Sequence, residues 1–168
     1  MHHRSSSEPF TIAAPQVFYG TAMRGPAMVR ISDGRIESIS FSDAQSGAPI
    51  ELPADAILAP GFIDILVNGG GGVLLNEEPT EAGVRRIVQA HRRTGTTGCL
   101  PTLITDRTEV IERLAAAAQA SLQIPGVLGL DSERGLIAPG YRADLVAFNA
   151  NFEVIETWIA GRSDGSTL

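Results

Sequence analysis

The stretch Phe62-Ile63-Asp64-Ile65-Leu66-Val67, running into Asn68-Gly69-Gly70-Gly71-Gly72, decides the fold. Its apolar run reads as a strand, and the glycines that end it read as a flexible strand-to-helix loop. A helix is expected from Thr80 to Thr94, because Thr80 suits the N-cap and Val84, Ile87, Val88 and His91 recur at helical spacing before Gly95. Thr97 to Ile104 reads as a second strand, one that carries Pro101. A second helix is expected from Arg107 to Leu122, with Val110, Ile111, Leu114 and Ala118 along one stripe, and Gly126-Val127-Leu128-Gly129-Leu130 as a third strand. Strand, helix, strand, helix, strand is a βαβαβ unit, whose strands should lie parallel.

On either side the character is β. Ala27-Met28-Val29-Arg30-Ile31 and Arg35-Ile36-Glu37-Ser38-Ile39-Ser40-Phe41 flank Ser32-Asp33-Gly34. An Asp-Gly between alternating runs signals a hairpin. Pro53 to Leu58 reads as a further short extended piece. After the middle segment, Ala143 to Phe148 and Val154 to Ile159 read as strands joined by a turn at Asn149-Ala150-Asn151. The organisation expected is an interrupted sheet domain, residues 1–58 and 131–168, around an α/β segment at 59–130.

Composition bounds the function. With 43% hydrophobic and 19% charged residues the chain is rich enough to bury a core and does not read as disordered. A net charge of -6 without a Lys/Arg cluster argues against a nucleic-acid partner. No apolar run nears the roughly 20 residues that span a bilayer, so no membrane partner is expected. The single cysteine, Cys99, cannot make an intramolecular disulfide, and Met1 to Glu8 has no apolar signal core, which together favour a cytoplasmic protein.

Leu58-Ala59-Pro60-Gly61-Phe62-Ile63-Asp64 and Gly135-Leu136-Ile137-Ala138-Pro139-Gly140-Tyr141-Arg142-Ala143-Asp144-Leu145-Val146 are similar to the opening strand and closing segment of the amidohydrolase superfamily. Val67 to Gly72 and Gly95-Thr96-Thr97-Gly98-Cys99-Leu100-Pro101-Thr102-Leu103-Ile104-Thr105-Asp106 narrow this: both resemble the N-acetylglucosamine-6-phosphate deacetylases. The resemblance implies a metal-dependent hydrolase that removes acetate from an amino-sugar phosphate substrate, built as a (β/α)8 barrel with a flanking β-sandwich. A divalent metal, zinc or similar, would activate water while an aspartate acts as acid and base.

A complete barrel takes about 250 residues, and the segment here accommodates about three strands. The fold class expected is therefore α/β: a small β-sandwich formed by both chain termini plus a truncated (β/α)8 barrel fragment of three parallel strands and two helices. In the family, the strand resembling Gly126 to Leu130 continues into a motif whose glutamate binds metal; here Leu130 runs straight into Asp131-Ser132-Glu133-Arg134-Gly135. That junction reads as an internal deletion, which removes the family's metal-binding histidines, catalytic aspartate and sugar- and phosphate-binding residues. No catalytic residue is assigned, and stoichiometric metal binding is not expected.

Two residues are left as candidate metal ligands. Glu133 lies at the same offset from Leu130 as the family's metal glutamate, but one carboxylate makes no site, and a solvated loop is the plainer reading. Asn68 stands where the superfamily has a His-x-His pair and many deacetylases Gln-x-Asn; here the sequence is Leu66-Val67-Asn68, and Leu66 has no donor. A turn-forming asparagine before glycines is the competing reading. The glycine run lacks the features of a P-loop or dinucleotide fingerprint. His91 fits a structural place on its helix, His2 and His3 lie near the start of the chain, and Cys99 reads as a buried small hydrophobe.

Three functional readings stay open: an inactive deacetylase-derived chain, a hydrolase that completes its site with another chain, and a non-catalytic interaction module, for example a partner of a full-length homologue. Another amidohydrolase such as a dihydroorotase fits the asparagine-glycine run less well. Open barrel edges and an uncovered apolar face invite homo-oligomerisation.

Overall fold

The computed structural model describes residues 8–41, 49–121, 133–163 and 165. In chain order its elements begin with β1 (Phe10–Ala14), β2 (Gln16–Phe18), β3 (Met23–Arg24), β4 (Ala27–Ser32), β5 (Arg35–Ser40), β6 (Pro49–Glu51) and β7 (Ile57–Pro60). There follow β8 (Phe62–Val67), β9 (Gly69–Gly70), β10 (Val73–Leu74), α1 (Glu81–Arg92), β11 (Thr96–Pro101) and α2 (Thr108–Ser121). The described elements end with β12 (Leu145–Phe148), β13 (Val154–Ile159) and β14 (Arg162–Ser163). The chain divides into two compact units, Met1–Gly61 with Ser132–Leu168, and Phe62–Asp131. The architecture is mixed α/β, with several small sheets, two helices and no closed barrel among the described residues.

In the first unit, β4 alternates buried Ala27, Val29 and Ile31 with half-buried neighbours, and Asp33 and Gly34 both take positive φ, 49° and 75°, to turn the chain into β5. Two successive positive φ values give the turn whose twist matches an antiparallel pair. β1 pairs antiparallel with β4 and parallel with β6, so one sheet has the order β5-β4-β1-β6. The other runs β14-β13-β12-β7-β2-β3 and joins early to late sequence where β12 lies antiparallel to β7, Leu145 opposite Pro60 and Phe148 opposite Ile57. Ile12, Val29, Ile31 and Ile36 from the first sheet and Val17, Leu58, Leu145 and Trp158 from the second form one buried core.

Among the described residues of this unit, Asp144 is the buried charged one, 4% exposed. Its Oδ1 accepts from the Ala160 amide at 2.8 Å and lies 3.0 Å from Arg142 Nε, and its Oδ2 lies 3.0 Å from Arg134 Nη1. Ala160 has φ 49° in the turn between β13 and β14, so the carboxylate pins a left-handed alanine as well as two guanidinium groups.

In the second unit β8 lies parallel to β11, Phe62 opposite Thr96 and Val67 opposite Pro101. Thr80 caps α1, its Oγ1 accepting from the Gly83 amide at 3.1 Å, which satisfies an amide the first helical turn leaves without a partner. Val84, Ile87 and Val88 then bury against Val67, Val73, Leu75, Cys99 and Leu114. No helix of the described residues is long and apolar enough to cross a membrane.

Several sequence expectations need correction. The second strand stops at Pro101, short of Ile104: the Thr102 amide turns to the Val67 carbonyl at 2.7 Å, and 102–107 form a loop. The glycine run is no flexible loop; Gly71 and Gly72, at φ 61° and 76°, close a hairpin in which β9 pairs with β10. Along α2 the buried residues are Val110, Leu114 and Ala117, whereas Ile111 is exposed. One residue of a helix turns about 100°, which takes Ile111 off the stripe centred on Val110 and Leu114. Pro53 to Ala56 makes a turn, closed by the Ala56 amide on the Pro53 carbonyl, before β7 begins at Ile57. The expected third strand, Gly126 to Leu130, and the Ala118 side chain lie outside the described residues.

The apolar strand β8 is largely uncovered: Phe62 and Ile63 are each 44% exposed, Ile65 68% and Leu66 73%. Strands of parallel α/β sheets are ordinarily buried on both faces. Here β8 pairs with β11 alone among the described residues.

Candidate functional site

In parallel α/β folds, binding groups gather where strands end and loops begin, at the carboxyl ends of the strands. In the second unit those ends are Val67-Asn68 on β8 and Pro101-Thr102 on β11, with the loops that follow.

The loop after β8 is folded tightly onto its own unit. The Leu75 amide donates to the Asn68 carbonyl at 2.9 Å, and the amides of Glu77 and Glu78 both reach the Leu74 carbonyl at 3.0 Å. His91 on α1 sets its Nε2 2.9 Å from the Gly69 carbonyl, and a Cβ added at Gly70 would come 2.9 Å from that same nitrogen. This explains a glycine at 70 without any ligand: the imidazole occupies the space.

Asn76 ties this loop to the next. Its Nδ2 donates to the Ile104 carbonyl at 2.9 Å and to Asp106 Oδ2 at 2.8 Å, and its Oδ1 accepts from the Ile104 amide at 3.2 Å. Asp106 Oδ1 also accepts from the Arg107 amide at 2.7 Å, at the approach to α2. The Asn76 hydrogen bond, then that backbone bond, holds the Asp106 carboxyl below the ordinary carboxylate value. A carboxylate committed to an asparagine and a backbone amide serves as a loop clamp.

The strand ends supply few chemical groups. Leu66 is exposed and offers no donor; Asn68 is exposed on the loop side of Val67. Asp64 Oδ1 accepts from the Leu66 amide at 3.0 Å. Cys99 is buried, and burial, then the charge of Asp64, pushes its thiol up to about 11, so it stays a protonated thiol near neutrality. Glu133 belongs to the other unit, where it is exposed, its carboxylate paired with Arg35 and its carbonyl accepting from the Arg142 amide at 2.9 Å. The structure therefore does not bring Asn68 and Glu133 together within one compact unit.

A divalent hydrolytic metal needs about three protein ligands. Among the described residues no group of three His, Cys, Asp or Glu side chains is placed to hold one. The described residues do not fit the metal that the deacetylase resemblance implies.

The Asn76–Asp106 clamp and the Asp144 network escaped sequence reading. Their partners are 30 residues apart in the first case; in the second, Arg142 is two residues from Asp144, and the pairing of β12 with β13 brings up the turn that holds Ala160.

No family model matches the chain. It is 39% identical over 110 residues to the N-acetylgalactosamine-6-phosphate deacetylase of Shewanella sp. (strain ANA-3), covering 62% of this chain and 28% of that protein. To the N-acetylglucosamine-6-phosphate deacetylase of Mus musculus it is 32% identical over 145 residues, 79% of this chain and 35% of that protein. Among solved structures it resembles a variant of the Mycobacterium smegmatis N-acetyl-D-glucosamine-6-phosphate deacetylase in complex with N-acetyl-D-glucosamine-6-phosphate. That match has a TM-score of 0.61 at 26% identity and covers 68% of this chain and 30% of the other. The chain thus spans about a third of the length of the curated relatives it matches.

Proposed function

Because the chain belongs to the N-acetylglucosamine-6-phosphate deacetylase family, we propose that it is an internally shortened member that does not hydrolyse the amide of a hexosamine phosphate on its own. On this reading the sheets of residues 1–58 and 131–168 are the family's flanking β-sandwich. Residues 59–130 are the opening of a (β/α)8 barrel whose remaining strands the chain lacks. It is a cytoplasmic protein related by descent to amino-sugar catabolism.

The carboxyl end of β8 carries this proposal. Leu66, without a donor atom, stands where the family pattern calls for a polar group, and the acid on the loop after β11, Asp106, is held by Asn76 and the Arg107 amide. Turning over an N-acetylhexosamine 6-phosphate needs an activated water, an acid-base group and cations for the phosphate. The strand ends of the second unit offer an asparagine, a leucine, a proline and a threonine. Neither Asn68 nor Glu133 changes this, since each would stand as a single oxygen donor.

Equilibrium dialysis of the purified chain against zinc and against manganese, followed by metal analysis, tests the reading. We expect substoichiometric metal in both cases. One tightly held ion per chain would overturn it.

A further inference from the structure

We propose that Asn68 is a site of spontaneous modification: its side chain cyclises onto the Gly69 nitrogen, ammonia is lost, and the chain after β8 acquires aspartate or isoaspartate. Asn68 is the single residue between β8 and β9, exposed and followed by glycine. Among the described residues its side-chain amide is bonded to no other group. The carbon to be attacked is therefore free to turn about the Cα–Cβ bond.

The attacking nitrogen is open as well. The Leu75 amide donates to the Asn68 carbonyl at 2.9 Å, which makes these two a hydrogen-bonded pair of the glycine hairpin. Such pairs alternate along an antiparallel ladder, so Gly69, opposite Leu74, belongs to a pair that exchanges no bonds. Its N–H and carbonyl point away from β10, and that carbonyl is the one 2.9 Å from His91 Nε2. Without a Cβ, Gly69 leaves the approach to its nitrogen unhindered. Cyclisation passes through the deprotonated peptide nitrogen, whose charge is shared with the Asn68 carbonyl oxygen. A hydrogen bond to the charged form favours it, and the Leu75 amide supplies one.

The chain has four asparagines, and the other three lack this combination. Asn76 is held at both ends of its amide by Ile104 and Asp106, and the nitrogen that follows it, that of Glu77, donates to the Leu74 carbonyl. Asn149 Oδ1 accepts from the amides of Asn151 and Glu153, and its Nδ2 donates to Glu153 Oε2. After Asn151, the Phe152 amide is committed to the Asn149 carbonyl at 3.0 Å and carries a bulky side chain.

The co-reactant is water. The Gly69 nitrogen bonds to Asn68 Cγ, the Cγ–Nδ2 bond breaks, and the proton from the peptide nitrogen leaves with the departing ammonia, giving a five-membered succinimide. Water adding at Cγ opens this ring to aspartate. Water adding at the main-chain carbonyl opens it to isoaspartate, which routes the backbone through the side chain and inserts a methylene between residues 68 and 69. That methylene takes the Asn68–Leu75 pair out of step with Gly70–Val73, so the isoaspartyl form loosens the hairpin against which His91 rests.

Peptide mapping by mass spectrometry, on the folded chain aged at pH 8 and physiological temperature, tests the proposal. Isoaspartate is counted with an isoaspartyl methyltransferase and labelled S-adenosylmethionine. Asn68 should be lost while Asn76, Asn149 and Asn151 stay intact, and ion exchange should show one more acidic species that contains isoaspartate. Asn68→Gln, which would have to close a six-membered ring, should prevent that species. A folded chain that keeps Asn68 while the urea-unfolded chain loses it, earlier loss at another asparagine, a product without isoaspartate, or an acidic species that survives in Asn68→Gln would each overturn it.

Discussion

Replacing Asp144 by alanine should destabilise the first unit by about 3–4 kcal/mol. Asp144 is 4% exposed, and the Arg134 side chain beside it is 9% exposed. Truncating the carboxylate leaves a nearly buried guanidinium beside an apolar methyl, and removing one partner of a buried ion pair costs about 3–5 kcal/mol. The Arg142 side chain is 25% exposed and recovers part of its solvation, which places the value at the lower end. The Ala160 amide loses its acceptor as well, at a residue already in the left-handed region. Asp144→Asn keeps an acceptor for Ala160 and should lose about 2 kcal/mol. The chain has one tryptophan, Trp158, buried in the core of this unit, so its fluorescence reports unfolding of the first unit directly. In urea the Asp144→Ala midpoint should fall sharply at unchanged slope. In a thermal scan the same loss in a unit of this size is worth about 12–32 °C. A change under 1 kcal/mol would refute the reasoning that this carboxylate is a buried hub.

Three further outcomes follow from the second unit. Asn76→Ala should raise the Asp106 carboxyl pKa toward its ordinary value of 3.8, followed by NMR titration. Because the folded value is depressed, the stabilisation is present above pH 3.8 and fades as pH falls through the folded value; a titration unmoved by the substitution would count against the clamp. The Ile104 amide, which donates to Asn76 Oδ1, should lose hydrogen-exchange protection in the same variant. Cys99 should resist thiol reagents in the native chain at pH 8 and react at once in denaturant. Its thiol is raised in the folded state, so folding stability should hold below pH 9 and decline as pH rises toward 11. Ile87→Ala, at a fully buried position of α1, should cost about 2–4 kcal/mol, read by helical circular dichroism in urea.

What sequence could tell followed from whether the signal was local. The hairpin at Asp33-Gly34 and the cap at Thr80 are written in adjacent residues and appear as expected, because a turn with positive φ and an N-cap each have a short chemical signature. β8 appears with the bounds read from its apolar run. The glycines after it were legible as a break but not as a hairpin, since glycine permits many conformations and only the pairing of Gly69-Gly70 with Val73-Leu74 selects one. The α2 stripe slipped by one position because Ile111 and Ala117 both fit a helical repeat, and only packing decides between them. Around the candidate site, Leu66 was readable as a departure from a pattern, and Asn68 as the residue that keeps it. The grip of Asn76 on Asp106 was not, because it is made by two loops distant in sequence.

The measurement closest to the central claim is acetate release from N-acetylglucosamine 6-phosphate and from N-acetylgalactosamine 6-phosphate by the purified chain, with zinc or manganese supplied. Fractions should be taken across a gel-filtration profile so that turnover is assigned to a species. A deacetylase-derived chain without its catalytic groups gives no release above the metal-only control in any fraction. Metal-dependent turnover that follows this chain through the profile would contradict the account.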